Sequence, residues 1–239
     1  MKKIMTTNFT HAVRDYYSLI NRGYPEKRTR LLVADTYGLS KSQRTVLYRG
    51  VFSGDVNEGR SRRRVRRHVY GKETAPAEFQ SVAVDYFNVI YTVMNYLLGR
   101  FTYISTDGFL RDTGENYTRM YHEEKFLKSA ELTAGTCGAL GITEAELFID
   151  TGFSIKTGFS IPLGDYGESI FRQNCDNVFI TIADSADRLL RASRAAVKAS
   201  SDSKIIDSEH TAVLDLARIT LEKEFSSRFA DLRPLVKSR

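Results

Sequence analysis

The sequence predicts an α/β fold with a mainly parallel sheet, preceded by a small three-helix module. Three observations carry that prediction. After residue 79, apolar runs of strand length alternate four or five times with segments of helical period. Residues 9–52 hold no such runs, and their apolar residues recur at helical spacing. Hydrophobic residues make up 42% of the 239, enough for a real core and too many for wholesale disorder.

In the first module, Ala12, Val13, Tyr16, Tyr17, Leu19 and Ile20 mark a helix that Gly23 ends. Pro25 suits the first turn of the next helix, with Leu31, Leu32, Val33 and Tyr37 facing inward before Gly38. Ser40 is the N-cap of a third helix carrying Val46, Leu47, Val51 and Phe52. Helix, short glycine turn and helix is the helix-turn-helix order, with Lys41, Arg44 and Arg49 on or near the last helix.

Residues 54–78 read as an arginine-rich linker between a helical module at 1–53 and an α/β domain at 79–239. Within it, Arg60, Arg62, Arg63, Arg64, Arg66 and Arg67 fall within eight positions. Such a density repels itself, so an exposed segment is expected, either merely solvated or clamping a nucleic-acid backbone without reading sequence. Residues 1–75 carry 17 Lys+Arg against 6 Asp+Glu, and the remainder 18 against 23, so a basic arm joins an acidic core.

The α/β domain opens with Val82 to Val84, a buried-strand run, and Asp85 ends it. Val89, Ile90, Val93, Met94, Leu97 and Leu98 then follow at helical spacing until Gly99. A short strand at 101–104 leads into STDGFLRD, where Arg111 either pairs with Asp107 or Asp112 or binds a substrate phosphate. A helix over 122–140 precedes a strand at 145–149 ending in Asp150, and a polar loop in which Lys156, Thr157 and Gly158 can hold a phosphate. A helix at 163–175 and a strand at 177–183 run into Asp184 and Asp187. Residues 195–199 form a strand leading to Ser200, Ser201 and Asp202, and a last strand at 212–216 precedes a helix to about 229.

Several strands therefore end in aspartate: Asp85, Asp150, Asp184 or Asp187, and Asp202. In a parallel sheet those ends share one edge, where ligands bind. Crowded carboxylates repel one another, and Mg2+ or Mn2+ relieves that repulsion and activates water against a phosphoryl group. The alternative is that each is a turn or helix-cap aspartate.

Other chemistries lack their residues. No GxGxxG follows a strand, no P-loop or GxSxG elbow occurs, and His11, His68, His122 and His210 have no metal-ligand spacing. Cys137 and Cys175 form no CxxC and fit a reducing compartment. No apolar run spans a membrane and no apolar leader opens the chain, so a soluble cytoplasmic protein is expected.

Residues 19–53 resemble the short helical N-terminal module of an uncharacterised, mostly archaeal protein family. VAVDYFNVIYTV, STDGFLRD, LFIDTGFSIKTG and KASSDSKIID resemble, in order, the segments of the module that follows it. That second module resembles the PIN/NYN-like nucleases. The resemblance implies a parallel α/β/α sandwich and a metal-dependent ribonuclease. Asp85 then matches the first-strand aspartate and Asn88 the asparagine after it, as catalytic residues. Asp187 and Asp202 match later catalytic and metal-binding acids, and Asp150 a central strand-end aspartate. Thr106 stands where a second acid is implied, leaving Asp107 alone as an assisting ligand, and residues 153–202 depart from the pattern. The implied function is a Mg2+- or Mn2+-dependent endoribonuclease whose partner is RNA, with Arg111 and Lys156 joining the arginine run in binding it. The alternative is a non-catalytic RNA-binding or regulatory protein that keeps the fold.

Overall fold

The structure, a computed structural model, describes residues 4–65, 79–114, 122–151, 163–208 and 212–237. Along the chain run α1 (Thr7–Asn21), α2 (Glu26–Thr36), α3 (Lys41–Gly50), α4 (Gly54–Arg63), β1 (Ser81–Asp85) and α5 (Tyr86–Leu97). Next come β2 (Thr102–Ile104), β3 (Leu110–Asp112), α6 (Glu123–Ala139), β4 (Glu144–Asp150), α7 (Leu163–Arg172) and β5 (Asn177–Ala183). The last are α8 (Ala186–Ala192), β6 (Val197–Ala199), α9 (Ser203–Ile206), β7 (Val213–Leu214), α10 (Leu216–Phe225), β8 (Ala230–Asp231) and α11 (Arg233–Val236). The chain divides into two units. One comprises residues 1–62, 100–115 and 228–239, and the other residues 63–99 and 116–227.

The second unit is built on a five-stranded, all-parallel sheet of order β5-β4-β1-β6-β7. Successive crossovers step outward from β1 to β4 and β5, then return to β6 on the other side of β1. Right-handed crossovers place α5, α6 and α7 on one face and α8 and α9 on the other. Side chains alternate along each strand, and register aligns Ala83 with Glu146 and Asp85 with Phe148. Ala83 and Phe148 therefore share a face, which packs on Ala186, Leu190 and Ile205 of α8 and α9. Asp85 and Asp150 have the same parity as these residues. On the other layer, Tyr86 and Tyr91 of α5 meet Phe126 of α6 edge-on at 6.1 and 5.7 Å between ring centroids.

The first unit packs Phe9, Ala12, Val13, Tyr16, Val33, Ala34, Val46 and Leu47 of its three helices against Tyr103 and Leu232. Its small sheet, of order β3-β2-β8, pairs β2 antiparallel with β3 and parallel with β8. Ser40 caps α3 in a reciprocal box with Gln43, as its position before the apolar series predicts.

Four readings need correction. The 54–78 stretch is not all linker: residues 54–63 form α4, because a helix sends neighbouring arginines in different directions. Arg60 turns inward, while Arg62 turns outward to Glu58 one helical turn back. The strand at 102–104 joins the small sheet of the first unit rather than the parallel sheet. The last parallel strand stops at Leu214, because Asp215 accepts the Arg218 amide and opens α10. Leu31 and Leu32 lie on the solvent side of α2, where Thr29, Val33 and Ala34 form the buried stripe.

Gly50 fixes the close approach of α3 to β2. A Cβ there would stand 2.5 Å from the Tyr103 ring. Gly50→Ala is expected to cost about 1–3 kcal/mol through overpacking, read as a lower unfolding midpoint in urea.

Candidate functional site

The switch in strand order falls between β1 and β6, and in open α/β sheets the crevice at the carboxyl ends of such strands is the binding position. Register dictates what meets there. Val84 lies opposite Ala199, so the next residues, Asp85 and Ser200, emerge side by side. The Ser200 hydroxyl donates to Asp85 Oδ2 at 2.7 Å and accepts the Asp202 N–H at 3.0 Å. One turn into α5, Asn88 Oδ1 accepts the Ser201 N–H at 2.8 Å and the Ser201 hydroxyl at 3.1 Å. Asn88 thereby ties the β6 exit to the β1 exit.

Asp85 sits at the N-cap position of α5 but closes no side-chain capping bond, which weakens the reading of a plain helix cap. Its carboxyl is pushed up to about 7. Burial does most of this, the Ser200 hydroxyl pulls it back, the charges of Asp187 and Asp202 raise it again, and the Asn88 backbone N–H lowers it slightly. Asp187, in the first turn of α8, is raised by burial and by Asp202 and Asp150, against the pull of Lys204 and Arg191. The four strand-end acids thus act on one another across a single edge. Asp202 also has a local task, since its Oδ1 caps α9 through the Lys204 N–H at 2.7 Å. Asp184 is exposed in the turn after β5.

Carboxylate, hydroxyl and amide oxygens are the donors a hard divalent cation takes. Asp85 has no Lys or Arg salt bridge among the described residues, so a cation would relieve its buried charge. Among the described residues, no group of three His, Cys, Asp or Glu side chains is gathered closely enough to hold a metal as placed.

A family model described as "Domain of unknown function (DUF5616)" matches residues 75–219, more than half of the chain. The chain belongs to the DUF5616 family. A second model, "Protein of unknown function (DUF434)", matches residues 8–63. No curated protein and no solved structure matches the chain. The DUF5616 stretch contains both walls of the crevice, Asp85 with Asn88 and Ser200 to Asp202.

The remaining predicted site residues of this DUF5616 protein lie elsewhere. Asp107 belongs to the first unit and is not a companion of Asp85. Arg111 grips it in a fork at 2.6 and 2.8 Å, Arg60 adds a bond at 3.0 Å, and the Ser105 hydroxyl donates as well. All three charged side chains are buried, with Arg60 lying 4.2 Å over the Phe52 ring. Burial alone would raise the Asp107 carboxyl, but Arg111, Ser105 and Arg60 outweigh it and hold it at about 2. Asp107 is therefore a structural anion rather than a metal ligand, and Arg60 and Arg111 are its partners rather than nucleic-acid contacts.

Thr106 is in the first unit too. Its hydroxyl accepts the Phe52 N–H at 3.0 Å and donates to Asn57 Oδ1 at 2.9 Å, so an acid there would not join the crevice. Arg63 donates to the Ile206 carbonyl at 3.2 Å, and Arg64 forms a β-bridge with Val213. Both are anchored to the second unit instead of free in an arm. Arg66, Arg67 and the Lys156 loop lie outside the described residues. Ser200 and Ser201 were not singled out as functional residues, although two hydroxyls directly after a strand beside β1 are a readable signal.

Asp85 makes stability pH-dependent. Its folded value lies above the unfolded 3.8, so the fold binds the extra proton between about pH 4 and 7 and loses stability as pH rises through that window. The loss, no more than about 4 kcal/mol, is expected to vanish in Asp85→Asn and to shrink in Mn2+. Melting temperatures from pH 4 to 8 with and without Mn2+ check this; a flat profile for the wild type would contradict it. Asp107→Asn leaves two buried guanidiniums short of their anion. It should cost about 3–5 kcal/mol while leaving the Mn2+ response of the melting curve intact.

Proposed function

We propose that the crevice between β1 and β6 is a Mg2+- or Mn2+-dependent site that hydrolyses phosphodiester bonds in RNA. The observation that carries this reading is Asp85, a desolvated carboxylate at the switch point, raised further by Asp187 and Asp202 and without a Lys or Arg salt bridge among the described residues. Burying an anion in this way is costly unless something positive arrives. The resemblance to PIN/NYN-like nucleases supports it, because strand-end acids on a parallel sheet are what that resemblance implies.

In this reading Asp85, Asp187 and Asp202 are the ligands, directly or through water, and Asp150 assists from the end of β4. A divalent ion held there would lower the pKa of a water molecule and offset the charge that builds on the phosphoryl oxygens. Ser200 fixes the orientation of Asp85 by bonding Oδ2, which leaves Oδ1 for the ion. Asn88 spends its carbonyl oxygen on Ser201, so its amide N–H groups are left to orient a water or a phosphate oxygen. The attacking water oxygen bonds to phosphorus as the bond to the leaving ribose oxygen breaks, and a proton passes to the departing oxygen.

A second reading, a non-catalytic RNA-binding or regulatory protein, is favoured by one specific observation. Asp202 is already engaged in capping α9, and no three acids stand together as placed. Both readings are decided by incubating the full-length protein with end-labelled RNA and Mn2+. Cleavage by the wild type, reduced at least about 100-fold in Asp85→Asn, is the expected result. Intact RNA with the wild type, or equal cleavage by the variant, removes the enzyme and leaves the second reading.

A further inference from the structure

We propose that the exposed face where α2 meets α3 binds unpaired nucleotides, with the Tyr48 ring as the stacking platform and Lys27 and Lys41 taking phosphates. This deepens the reading of the protein as RNA-directed and rests on it.

Packing of the helices leaves several large side chains open on this side of the unit. Tyr48 is 60% exposed and Leu32 63%, and Tyr24 and Leu31 lie open as well, all in or beside two short helices. The Arg30 guanidinium lies 4.0 Å from the Tyr48 ring centroid. It covers one face of the ring and leaves the other for a base, an arrangement that holds any of the four bases through its π-face.

Charge selects among occupants for such a face. Residues 26–50 carry six Lys+Arg, against Glu26 and Asp35 as acids. Asp35 is paired with Arg44 at 2.8 Å, whereas Lys27, Arg28 and Lys41 are exposed. A second copy of the chain would set like charge on like charge; a polyanion carrying aromatic bases matches both properties.

An unpaired strand fits better than a duplex. The two arginines with which α3 would read a groove are already engaged. Arg44 bonds the Leu39 carbonyl at 2.9 Å as well as Asp35, and Arg49 lies 3.7 Å from Asp112. What α3 leaves outward is a ring, and a duplex hides the base faces that a ring can stack on.

The test uses the full-length protein in EDTA, so that binding is read without cleavage. Fluorescence anisotropy is followed with labelled RNA and DNA single strands of about 12 nucleotides, a length within the range of known single-strand sites, and with an RNA duplex of equal length. Both single strands are expected to bind more tightly than the duplex, an excess for RNA marking a contact to the 2′-hydroxyl. Tyr48→Ala should weaken binding about 10-fold and Tyr48→Phe less than about 2-fold, with melting temperatures unchanged because the ring is on the surface. Lys27→Glu should flatten the dependence on salt. Equal affinity of Tyr48→Ala and wild type, preference for the duplex, or a dimer that Tyr48→Ala dissolves would overturn the proposal. Asp85→Asn should bind as the wild type does. Loss of cleavage in that variant and loss of binding in Tyr48→Ala therefore report on separate claims.

Discussion

The hydrogen bond between Ser200 and Asp85 is the point on which the second unit turns. It is a product of register: parallel pairing that aligns Val84 with Ala199 leaves the next pair of residues no choice but to meet. Slipping β6 by one residue would turn Ser200 to the other face and set a different residue against the carboxylate. The same register brings Ser201 to Asn88 and starts α9 at Asp202. Strand order does the rest, since the reversal beside β1 is where an open α/β sheet takes its ligands. The two serines and Asn88 therefore hold together the exits of strands more than 100 residues apart in sequence.

Two aspartates, Asp107 buried and Asp85 half-buried, show how environment separates structure from function. Asp107 meets a bidentate Arg111, a second guanidinium from Arg60 and the Ser105 hydroxyl, so its charge is more than cancelled and its carboxyl is held at about 2. Asp85 meets one hydroxyl and a nearby amide, while the neighbouring charges that matter most are negative. The first arrangement locks α4 to the β2–β3 hairpin and has no further bonding capacity to offer a ligand. The second stays costly until a proton or a cation arrives, and that asymmetry makes Asp85 the candidate for chemistry.

The sequence disclosed the parallel sheet well, and for a definite reason. Strands of a parallel sheet are rich in apolar residues, as in Val82 to Val84, Ala145 to Ile149 and Asn177 to Ala183, and these are where β1, β4 and the edge strand β5 lie. The small sheet was harder, because β3 and β8 have only three and two residues and carry Arg111, Asp112 and Asp231 among them. Three-residue pieces show no period. Arg60 and Arg63 were misread because density of charge along the chain says nothing of direction in space, and α4 sends them to different partners. Asp107 and Asp85 are likewise indistinguishable as letters. What separates them is the Arg111 fork four positions on, joined by Arg60 from 47 positions away, and only the second is a contact no local pattern announces.

Charge is divided between the two units in a way that bears on the proposed substrate. The first unit carries 18 Lys+Arg against 9 Asp+Glu, and the second 17 against 20. An edge lined by Asp85, Asp150, Asp187 and Asp202 repels a phosphodiester backbone, so affinity for RNA cannot originate there without bound cations. Attraction from the basic unit supplies what the acidic edge lacks, and the two contributions respond to different variables. Binding through lysine and arginine weakens as salt rises, because counterions compete for the phosphates. Neutralising Asp85 depends instead on the concentration of divalent metal and on pH near its shifted value. Under the proposed function, holding the polymer and cleaving it would fall to separate sets of residues, and each could be removed without touching the other.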